Sequence, residues 1–81
     1  MDFSDGESRV LERFAEKCRI AGGPKAGYNL RRDSIIYGWD AGRVEAADAG
    51  LASLVDRGLL AANEAGDRFS LTEEGVGALT A

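Results

Sequence analysis

At Gly58 the apolar pattern of this chain changes period, and that change constrains the fold more than any other feature. Before it, Val44, Ala47, Leu51, Leu54 and Val55 recur at intervals of three and four, which is one buried stripe on a helix. Asp40 can cap that helix, and it is expected to run from Ala41 to Arg57. After Gly58, "LLAANEAGDRFSL" holds two short runs, 59–62 and 68–71, around a turn rich in Asn, Glu, Gly and Asp. This reads as a β-hairpin. A helix passed through glycine into a hairpin predicts a mainly α domain with a small β-hairpin, of the α+β class.

The remaining elements follow from local signals. Ser4 and Glu7 have the spacing of a capping box, and Val10, Leu11, Phe14, Cys18 and Ala21 form the apolar stripe of a first helix that ends at Gly22, Gly23 and Pro24. Residues 1–7 are then a tail and cap, and 22–27 a flexible connector. Residues 28–39 are ambiguous between strand and helix. Leu30, Ile35 and Ile36, with Asn29 as N-cap and Gly38 as stop, favour a two-turn helix, with Tyr28 in a brief strand before it. Thr72 can cap a last helix whose first turn carries Glu73 and Glu74, where the helix dipole favours them; Gly75 and Gly77 weaken it. The expected order is α-(β)-α-α-β-β-α in one domain, 1–81, because 81 residues supply material for a single small core.

Composition narrows the chemistry. The chain has no histidine and one cysteine, so zinc-ligand spacings, Ser-His-Asp and Cys-His arrangements and internal disulfides are all absent. No enzyme activity, metal or cofactor is expected. Cys18, on the stripe of the first helix, reads as a core thiol. The acidic start "MDFSDGESRV" lacks the basic and apolar regions of a signal peptide, and no apolar run is long enough to span a bilayer, so a cytoplasmic location and no membrane association are expected.

The stretch "LASLVDRGLL" at 51–60, followed by "FSLTEEG" at 69–75, resembles the third helix, glycine stop, wing strands and following "LT-x-x-G" of the winged helix-turn-helix family. The resemblance covers residues 30 to 81 and makes 59–71 the wing hairpin. It implies a dimeric transcriptional regulator, with its third helix in the major groove of duplex DNA and its wing on the flanking backbone.

The charge distribution points elsewhere. Residues 9–32 hold seven Lys or Arg against two Glu, whereas 33–81 hold three Arg against nine Asp or Glu. Counting 100° per residue from Val44 puts Gly42, Glu45, Ala46, Ala49, Ser53, Asp56 and Arg57 opposite the apolar stripe. Base edges are read by Arg, Lys, Asn and Gln, and phosphates by cations, so this helix is poorly equipped for either. Small residues let a protein partner come close, and carboxylates pair with its cations. The first expectation is therefore a small protein-binding regulator, of the type of a phage inhibitor or an adaptor, that docks on a basic partner surface. Its contacts would be Glu45, Ala46, Asp48, Ala49, Ser53 and Asp56 on the helix and Glu64 and Asp67 in the wing. A homodimer through this helix is a further protein reading, and an ordinary solvated surface is the plain one. The alternative is duplex DNA, contacted through Lys25, Arg31, Arg32, Arg43, Arg57 and Arg68.

Overall fold

A computed structural model describes residues 2–80. These residues form a small α+β domain with four helices and a three-stranded antiparallel sheet. In chain order the elements are α1 (Asp5–Ile20), β1 (Asn29–Arg31), α2 (Arg32–Ile35), α3 (Ala41–Asp56), β2 (Leu60–Ala62), β3 (Arg68–Leu71) and α4 (Glu73–Thr80). The sheet order is β1-β3-β2, so the hairpin's second strand is central.

The caps form where the sequence places them. The Ser4 hydroxyl accepts from the Glu7 amide at 3.2 Å and the Glu7 carboxylate accepts from the Ser4 amide at 2.8 Å, so two of the first-turn donors of α1 are satisfied reciprocally. Val10, Phe14 and Cys18 on this helix are wholly buried, and Leu11 nearly so. Ala21 departs from the expected stripe: it is the exposed C-cap, because the helix has already ended. The Asp40 carboxylate caps α3 by accepting from the Arg43 amide at 2.9 Å, and Thr72 caps α4 by accepting from the Gly75 amide at 3.0 Å. Gly58, at φ 78°, makes the left-handed turn that carries the chain out of α3 and into β2.

The core is one cluster. Ile35 from α2, Ala47, Leu51 and Leu54 from α3, Leu60, Phe69 and Leu71 from the sheet, and Leu59 just before it close over α1. Period-two alternation sends Phe69 and Leu71 inward and leaves Arg68 exposed and Ser70 half-buried. The α3 stripe is less complete than its spacing suggests, since Val44 and Val55 are only half-buried.

Residues 28–39 correct the expected two-turn helix. Asn29 is not an N-cap, because 29–31 is strand, and the helix that follows is the single turn Arg32–Ile35. The reason is tertiary. Leu30 pairs with Phe69 across the sheet, and Arg32 donates its amide to the Asp67 carbonyl at 2.8 Å, so β3 takes the backbone that a longer helix would have used. Tyr28 lies just outside the strand. The helix stops before Gly38, leaving Tyr37 on an exposed turn. Among the described residues no helix is long and apolar enough to cross a membrane.

Candidate interaction surface on helix α3

Helix α3 has two long polar sides, built from similar residues and used differently. On one side it meets the first turn of α1. Gly6 and Gly50 face each other there, and neither could carry a side chain: a Cβ on Gly6 would collide with the Ala46 carbonyl, and one on Gly50 would stand 2.5 Å from the Gly6 carbonyl carbon. Glycine in the first turn of α1 and in the interior of α3 serves close backbone approach here.

The same seam holds the one buried charged side chain of the described residues, Glu7. Its carboxylate accepts from the Ser4 amide, from the Ser53 hydroxyl at 2.8 Å and from the Arg57 guanidinium at 2.9 Å. These bonds, led by that from the Ser4 backbone and opposed by desolvation, hold its pKa down at about 2. Arg57 also lies over the Phe3 ring, 4.8 Å from its centroid, and donates to the Asp2 carbonyl at 3.2 Å. The last turn of α3 is thereby fastened to the N-terminal segment.

This seam revises the expected outward face. Ala46 and Ser53 are half-buried and lie at the α1 contact, not opposite the apolar stripe, and the small residues there serve the domain's own packing. The helical count from Val44 could not anticipate this, because it located the apolar stripe but not the direction from which α1 arrives.

The other side of α3 is open. Ala41, Gly42, Glu45, Asp48, Ala49, Ala52 and Asp56 are all exposed. At 100° per residue they share one face, and Glu45 to Asp56 span about 16 Å along it. The residues of that strip comprise three carboxylates and no cation; Arg43, also exposed, lies about 160° round the helix from the strip's centre. Asp48 is engaged: Arg32 donates to both its oxygens at 2.8 Å, a bidentate pair that lowers the pKa of the carboxyl and raises that of the guanidinium. Glu45 and Asp56 make no side-chain hydrogen bond or ion pair among the described residues.

The hairpin adds less than expected. The Asn63 side chain accepts from the Asp67 and Arg68 amides, both at 3.1 Å, and donates to the Asp67 carboxylate at 2.8 Å, so Asp67 belongs to the turn's own network. Glu64 is exposed. Sequence reasoning missed Asn63 as the pin of this turn, although an Asn at the head of a turn is the local signal for it.

The cations of the duplex reading are only partly gathered. Arg57 is held by Glu7 and Arg32 by Asp48, while Arg43 stands 4.0 Å from the Asp40 carboxylate. Lys25 is exposed on the connector. Arg31 and Arg68 come together as partners across β1 and β3, and Arg32 lines the same recess beside them. Comparison of the chain with family models, with curated proteins and with solved structures gives no match in any of the three.

Proposed function

We propose that this chain is a winged-helix regulatory module that captures a basic surface of a partner protein through the open face of α3, as a small inhibitor or adaptor would. The observation that carries the reading is the strip Gly42, Glu45, Asp48, Ala49, Ala52 and Asp56: exposed, low in profile and with no cation of its own, the Arg32 guanidinium beside it being spent on Asp48. Small side chains allow close approach of a partner backbone, and the carboxylates at the ends of the strip attract and orient its Lys and Arg. The winged-helix reading is supported by the succession of helix, strand, helix, helix, hairpin and helix, together with the "LASLVDRGLL" and "FSLTEEG" stretches.

The same strip argues against α3 entering a DNA groove. Phosphates lining the groove would face Glu45 and Asp56, while the Arg32 guanidinium on that face is already paired with Asp48, and duplex affinity depends on cations that displace counterions.

The test is capture by the immobilised chain of partners from a lysate, comparing wild type with E45K/D56K, beside a fluorescence-anisotropy titration with mixed duplex at low and moderate salt. The proposal expects retention of basic proteins by wild type and their loss with the variant, and no duplex binding. Salt-sensitive duplex binding with unchanged protein retention would replace it by the regulator reading.

A further inference from the structure

We propose a second site, beside the α3 strip and joined to it through the Arg32–Asp48 pair, that binds a phosphorylated polyol of sugar-phosphate type in the recess between β1, α2 and the hairpin turn. The recess has a volume of about 480 Å³ and is lined by Arg31, Arg32, Asp33, Asn63, Asp67 and Arg68. That volume lies in the range of small-molecule sites, about 300–1,000 Å³. All six lining residues are polar.

The arrangement of its arginines is what asks for an anion. Arg32 donates to Asp67 and Leu71 donates to the Tyr28 carbonyl, each at 2.8 Å, so alternation along the ladder makes Leu30–Phe69 the hydrogen-bonded pair. Arg31 and Arg68 are then a non-hydrogen-bonded pair, whose Cα atoms lie about 4.5 Å apart with both side chains on the same face. Like charges placed directly opposite in a sheet repel and destabilise it. Arg68 is held in place by the Asn29 side-chain oxygen at 2.8 Å, and Arg31 has no hydrogen bond or ion pair among the described residues. Two arginines on one face of the recess, one fixed and one uncommitted, offer N–H donors to a tetrahedral oxyanion, which would turn their repulsion into shared attraction.

The carboxylates of the recess select among anions. Arg32 is already neutralised by Asp48, so Asp33 and Asp67 oppose a bare phosphate. They become favourable when the ligand brings hydroxyl donors beside its phosphate, because an ionised carboxylate is an acceptor only. Asn63 spends its amide on Asp67 and fixes that acceptor's position.

Arginine Nε–Hε spectra of the whole chain, titrated with ribose 5-phosphate and with inorganic phosphate at ionic strength matched by sodium chloride, test the site. Saturable shifts of Arg31 and Arg68 are expected, with ribose 5-phosphate binding about tenfold more tightly than inorganic phosphate. R31Q should weaken that binding at least about tenfold. Without ligand it should leave the melting temperature unchanged or raised, since it removes the repulsion. D33N should reduce the preference for the sugar phosphate. The proposal fails if no saturable shift occurs, if the shifts survive in R31Q and R68Q, if inorganic phosphate binds as well as the sugar phosphate, or if duplex DNA alone moves these signals.

Discussion

The two polar sides of α3 are written in the same alphabet and do opposite things. Ala46, Gly50 and Ser53 lie against α1, where close approach and the Glu7 carboxylate use every small side chain and hydroxyl; Gly42, Ala49 and Ala52, with Glu45 and Asp56, are exposed. Small residues on a helix mark a place where something can come near. On one side the domain's own first helix has come near. The proposed function is that a partner protein does so on the other.

Substitutions that distinguish the two sides should therefore differ most in their effect on stability. G50V places atoms where the Gly6 backbone already stands and should cost about 3 kcal/mol or more, as overpacking against main chain does. A49V, one residue away on the open side, should cost only about 0.5 kcal/mol, the helix-propensity difference. Urea unfolding of both variants measures the contrast, and equal losses would dissolve the distinction.

Next in size is the buried carboxylate. E7Q keeps the shape but weakens the bonds to Arg57 and Ser53, and should cost about 2 kcal/mol in the same urea assay. The pH dependence has a defined sign. Glu7's pKa falls on folding from 4.5 to about 2, so its stabilisation is complete above 4.5 and is lost as pH falls towards 2. Thermal unfolding between pH 5 and pH 2 should show a decline that is shallower in E7Q. Smaller again is S53A, which removes one hydroxyl donor from Glu7 and should lower stability by about 1 kcal/mol. E45K and D56K, on exposed positions with no partners among the described residues, should stay within about 0.5 kcal/mol of wild type.

Much of this architecture was legible in the sequence because its signals are local. The capping box at Ser4 and Glu7, the Asp40 and Thr72 caps, the turn at Gly58 and the alternation of Phe69 and Leu71 each act within a few residues, and each was found in place. Strand β1 was not legible, because Leu30 becomes strand only by pairing with Phe69, thirty-nine positions away in the chain. The α1 seam was missed for a similar reason. Its signal lay in Gly6, in the first turn of α1, and in Gly50, inside a helix that disfavours it, but neither states which element it faces. Of the candidate contacts, Glu45, Ala49 and Asp56 were placed on the open side by the same helical count that misplaced Ala46 and Ser53.

The central claim concerns the uncovered side of α3, and the most direct test is crosslinking from within it. A photo-crosslinking residue at Ala49, in the wild-type background and in E45K/D56K, reports whether a protein sits on the strip. The account predicts a discrete adduct with a basic protein in the first case, its loss in the second, and unchanged circular dichroism in both. An adduct equally strong in E45K/D56K, or one with duplex DNA in place of protein, would contradict it.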